Sequence, residues 1–74
     1  MSDNESKTAL FEALRELAES IPEMRGGQIV AAVGELCLDL HGRDLWNASD
    51  DELLEAVWQF RRNHEAAMAL VGSV

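Results

Sequence analysis

Leu10, Leu14, Leu17 and Ile21 recur at steps of four, three and four residues, with Glu12, Arg15, Glu16 and Glu19 between them. That spacing leaves few folds open. A strand would put alternate residues on one face, whereas a period near 3.6 places these four side chains in one stripe along a helix. Two further segments carry the same signal: Ile29, Val30, Val33, Leu36, Cys37 and Leu40, then Leu53, Val57, Phe60, His64 and Ala67 or Met68. Each stripe must be covered by another element, and 74 residues hold one core and no second domain. The expected fold is therefore all-α, a small three-helix bundle in a single domain over residues 1–74. Its helices run over about residues 6–20, 22–41 and 49–70, behind a polar, frayed leader at 1–5.

The boundaries follow from local chemistry. Ser6 is a candidate N-cap for the first helix. Ser20-Ile21-Pro22 ends that helix, because proline disfavours helical geometry in the residue before it. Pro22 can then open the second helix as its first residue, where a missing N–H costs nothing, although Gly26 and Gly27 weaken that first turn. Gly42 is the expected stop. Ser49-Asp50-Asp51-Glu52 is the clearest punctuation in the chain. A serine followed three residues later by glutamate, ahead of an apolar run, is a capping box that opens the third helix.

Short connections favour an up-down-up arrangement. A third helix of about 20 residues would be about 30 Å long, against roughly 24 Å for a first helix of about 16. The third helix could therefore cross a helical hairpin and pair with a second copy, so that dimerisation completes the fold.

Charge narrows the partners. Fourteen acidic residues face six basic ones, for a net charge of -8, and this field repels nucleic-acid phosphates and anionic membrane surfaces. No nucleic acid and no membrane partner is expected, and a basic protein would meet the acidic outer helices first. The single cysteine excludes an intrachain disulfide, and the polar, acidic start lacks the basic-then-apolar order of a signal peptide, so the cytoplasm is the expected setting.

Candidate chemistry is sparse. Cys37 and His41 stand four apart, with Asp39 and Asp44 nearby, but a closed zinc site needs four ligands and the cysteines and histidines are too few. A Cys37 nucleophile paired with His41 or His64 would need an exposed thiol in positive surroundings, and Cys37 instead lies on an apolar stripe. His64 reads as a histidine inside the bundle or at its rim. Arg25-Gly26-Gly27 could meet an anion at a helix start, yet Gly27, Ala31 and Gly34 share a face and read better as room for a neighbouring helix. The acidic helical character invites comparison with acyl carrier proteins. Arg43-Asp44-Leu45 and Ala48-Ser49-Asp50 do not match the Asp-Ser-Leu that carries their prosthetic group. No catalytic residue, metal or cofactor is expected, and the chain is read as a non-enzyme.

Pro22-Glu23-Met24-Arg25, Gln28-Ile29-Val30, Asp44-Leu45-Trp46 and Ser49-Asp50-Asp51-Glu52-Leu53-Leu54 together resemble a group of short stand-alone bacterial proteins. In that group a Pro-acidic-Leu-Arg-x-Gly-Gln-Leu segment precedes an aromatic residue and an acidic helix start. This chain departs from the pattern at Gly26-Gly27 and in its longer helical stretch before Asp44. The resemblance implies that Arg25, Gln28 and Trp46 share one local arrangement, and it carries no activity.

Two tryptophans are more than a bundle this small readily buries. Leu54 and Trp58 are turned away from the Leu53/Val57/Phe60 stripe, and the tail from Ala66 to Val71 is apolar all round. Either Leu54 and Trp58 cover the loop containing Trp46, or they form a contact surface. The expected interaction surface comprises Trp46, Leu54, Trp58, Met68, Leu70 and Val71. The expected function is a self-associating helical protein–protein interaction module. The alternative is an acidic regulator or decoy for a basic, nucleic-acid-binding protein surface.

Overall fold

The computed structural model describes the backbone of residues 3–72 and the side chains of residues 4–68. Three helices make up the fold: α1 (Asp3–Ser20), α2 (Gly26–His41) and α3 (Asp50–Gly72). At 1.5 Å per residue they are roughly 27, 24 and 34 Å long. The longest, α3, packs against both α1 and α2, while α1 and α2 touch each other little.

The three stripes converge as their spacing demands. Leu10, Leu17 and Ile21 meet Ile29, Val33 and Cys37 from α2 and Ala56 and Val57 from α3 in one buried cluster. Leu14, Leu53, Leu54 and Phe60 are half-buried against it. Where the expected stripes were too wide, solvent reaches the side chain: Val30 and Leu40 are exposed on α2, and Ala67 and Met68 on α3. Leu54, expected to face away, instead packs on the core. A helix flanked on two sides buries a broader arc than a single stripe, which also accounts for buried Ala56.

Two helix starts differ from expectation. Helix α1 begins at Asp3 rather than Ser6, so residues 3–5 are helical and Ser6 lies inside the helix instead of capping it. Helix α2 begins at Gly26 rather than Pro22. Pro22 occupies the second position of a turn in which Met24 N–H donates to the Ile21 carbonyl at 3.1 Å. A fixed φ suits that position as well as a helix start. The turn buries Ile21 and tucks Met24 against the core. Arg25 is the N-cap, and its N–H donates to Gln28 Oε1 at 2.8 Å. An arginine side chain accepts nothing, so only half of a capping box forms.

The other end of α2 closes as expected. Gly42 adopts φ +70°, and its N–H donates to the Leu38 carbonyl at 2.8 Å. The face of α2 that carries Gly34 meets a loop instead of a helix. A Cβ on Gly34 would meet Leu45 at 3.5 Å, while Gly27 faces open space. Leu45 thus plugs the splay between α1 and α2, lining an apolar gap of about 30 Å³ with Leu10, Leu14, Val30, Val33 and Leu53.

Helix α3 starts with the full capping box. Glu52 N–H donates to Ser49 Oγ at 3.1 Å, and Ser49 N–H donates to Glu52 Oε1 at 2.9 Å. That backbone hydrogen bond, aided by Arg43 and His41, holds the Glu52 carboxyl below its ordinary 4.5 despite some desolvation. Folded Glu52 therefore binds its proton less readily than unfolded Glu52. The stabilisation is present above pH 4.5 and is lost as pH falls through the folded value. Ser49→Ala removes the hydroxyl acceptor and should cost about 1 kcal/mol in urea unfolding at neutral pH. A change below about 0.3 kcal/mol would show that the box does not hold the helix start.

Candidate interaction surface

The segment from Gly42 to Ser49 is short, but its own side chains organise it. Asp44 Oδ1 accepts from Asn47 N–H at 3.0 Å and from Asn47 Nδ2 at 2.7 Å. Its carbonyl accepts from Ala48 N–H at 2.9 Å. Arg43 Nε donates to Glu52 Oε1 at 3.0 Å, tying the loop to the first turn of α3. Leu45 lies over Gly34 with 44% of its surface still exposed, and the next residue, Trp46, stands in solvent at 92% exposure. An ordered turn thus presents a bare indole, an arrangement that lowers the ordering cost of any contact made there.

Trp46 itself is uncovered. The remaining expected surface residues are spread along α3. Leu54 is half-buried against the core. Trp58 is 59% exposed and Met68 is 58% exposed. These two are ten residues apart, roughly 15 Å along the axis. Every side chain from Glu65 to Met68 is exposed, so the bundle does not cover the last described turn of α3. Leu70 and Val71 lie on the α3 backbone, but their side chains fall outside the described residues. Trp58 shares a shallow depression with Arg61, Arg62 and Glu65. Arg61 is held there by Glu16 at 3.4 Å and Glu65 at 3.2 Å.

Phe11, 63% exposed between Lys7 and Arg15, escaped the sequence reading, as did Leu38 at 50%. Both lie one step off a buried stripe position, next to Leu10 and Cys37, and that offset was legible in the spacing. Arg25 N–H donates to Gln28 Oε1 at the start of α2, whereas Trp46, in the turn after that helix, stands 92% exposed.

The side chains that could carry chemistry are dispersed or sealed. The Cys37 residue has 0% exposure, and its thiol is pushed above its ordinary 9.0, first by burial and then by Glu52, with Arg43 opposing and Glu55 adding the smallest push. Such a thiol is a poor nucleophile. His41 lies in the last turn of α2 with Nε2 3.5 Å from Glu55 Oε2. His64 is half-buried at the edge of a groove between α2 and α3. Among the described residues, no three His, Cys, Asp or Glu side chains converge as ligands for a metal ion. Likewise, no described helix is long and apolar enough to cross a membrane. No family model, curated protein or solved structure matches the chain.

Proposed function

We propose that the protein is a non-enzymatic helical interaction module that pairs with a second copy through the outer flank of α3, with the Trp46 turn as a further contact. The observation that carries this reading is the solvent exposure of Trp46, Trp58 and Met68 on so small a domain. Full burial of such side chains is worth roughly 1.5–3 kcal/mol each, stabilisation that association would recover. A symmetric pair is the commonest closed assembly for a soluble chain, and antiparallel α3 helices bring like surfaces face to face. The setting is the cytoplasm, supported by a lone, buried thiol. Kinship with the short bacterial proteins belongs to the same proposal and rests on the motifs from Pro22 to Val30 and from Asp44 to Leu54.

Like charge of -8 on each chain opposes this pairing, so its affinity should rise with salt. Sedimentation equilibrium at about 100 μM should give a mass above one chain, higher at 500 mM than at 50 mM salt. Trp58→Glu should return it to one chain with its helical content intact. A monomer mass at both salt concentrations would end the self-association reading. The second reading, an acidic regulator or decoy for a basic protein surface, is favoured by acidic side chains such as Glu35 and Asp39. Neither has an ion-pair partner among the described residues. A complex of that kind would weaken with salt.

A further inference from the structure

Helices α2 and α3 leave an open groove of about 420 Å³ between them, on a different part of the surface from the Trp58 depression. Its floor is apolar, formed by Ala32 and Leu36 from α2 and Phe60 from α3, all half-buried and still reachable from solvent. One wall is acidic: Glu35 and Asp39, both exposed, stand one helical turn apart. Asn63 and His64 of α3 form the other wall. No ion pair among the described residues includes either wall carboxylate. The groove therefore has an apolar floor beside two uncompensated negative charges at fixed spacing.

We infer that this groove docks a basic amphipathic helix of a partner protein. The inference deepens the second reading above by naming its site and the kind of segment recognised. A helix laid into a groove between two helices presents anchors at i, i+3 and i+4 to the floor, and the next positions round its surface face the walls. Lysines or arginines four residues apart on the partner would match the four-residue separation of Glu35 and Asp39. A second copy of this chain is disfavoured as the occupant, because each chain carries fourteen acidic residues and only six basic ones. The charge on the wall also gives the encounter a direction. A net charge of -8 draws a cationic segment toward the protein, and the unpaired wall carboxylates then select its register.

The test uses a fluorescein-labelled, 18-residue helical peptide with leucines at i, i+3 and i+4 spacing and lysines at i, i+4 along one flank. Its glutamate-for-lysine mirror is the control, and binding is read by anisotropy at 50 mM salt. The lysine peptide should bind with micromolar affinity and the mirror should not. Glu35→Gln with Asp39→Asn should weaken binding at least tenfold. Glu12→Gln with Glu23→Gln removes the same charge from exposed positions outside the groove and should weaken it less than threefold. Amide shifts on titration should cluster at Ala32, Leu36, Phe60 and His64. If both double variants weaken binding alike, attraction is spread over the surface; the groove is then wrong while the acidic reading stands. If neither peptide binds at 1 mM, both fall.

Discussion

Leu17→Ala should destabilise the protein by about 3 kcal/mol, within the range for truncating a fully buried leucine. Leu17 has no exposed surface and sits in the cluster where α1 meets α2 and α3. Truncation there loses the transfer free energy of the removed carbons and leaves a cavity in a core that, among the described residues, has only eight buried members. A domain of this length is expected to be stable by roughly 4–11 kcal/mol, so this one change removes a large share. In thermal unfolding the midpoint should fall by about 12–24 °C, using the usual shift per kcal/mol for small domains. Phe11→Ala is the matched control. Phe11 is larger but 63% exposed, and its truncation should change stability by less than about 0.5 kcal/mol. Equal losses from the two variants would mean that the core is not where the structure puts it.

Cys37 in the native protein should react with a thiol reagent at least about 1,000-fold more slowly than in the unfolded chain. Its residue has no solvent-exposed area, and burial together with Glu52 and Glu55 raises the thiol above 9.0, so both access and thiolate content are suppressed. Reaction then requires opening. Because 1.4 kcal/mol is a factor of ten, an opening free energy of about 4 kcal/mol gives the stated protection. The two predictions are coupled. If the opening that exposes Cys37 is global, Leu17→Ala should raise the native labelling rate by the factor matching its loss of stability, about 150-fold for 3 kcal/mol. The raised thiol also has a pH consequence. The folded state holds the proton more tightly than the unfolded one, so this contribution to stability is fully present below pH 9 and is lost as pH rises through the folded value. Native labelling within tenfold of the unfolded rate at neutral pH would contradict the burial and bring a reactive cysteine back into consideration.

Four features of this protein were determined by the sequence alone, each through a local or periodic cause. Leu10, Leu14, Leu17 and Ile21 had to lie along one helical face. Ser49 and Glu52 had to satisfy each other's backbone N–H groups, and Gly42 could adopt the left-handed conformation that closes α2. The burial of Cys37 followed from its place between Val33 and Leu40 on a stripe. What the sequence misplaced locally was the role of Pro22, because one fixed φ serves both a helix start and the second position of a turn. The choice between them came from burying Ile21 and Met24.

The surface was decided by tertiary structure. Periodicity gives a residue's angle about its own helix axis but not how many neighbours flank that helix. Leu54 therefore packs half-buried against the core and Ala56 is buried, because α3 is covered on two sides, while Val30 and Leu40 stay in water at the margins of α2. Leu45 and Trp46 are adjacent and similarly apolar, yet Leu45 lines the gap between α1 and α2 with part of its surface exposed, while Trp46 stands almost wholly in solvent. Leu45 packs over Gly34, a contact between residues eleven apart that neither segment encodes alone. The groove of Glu35, Asp39 and Phe60 is likewise a property of how α2 and α3 pack, since no stripe of either helix alone encodes a concave surface.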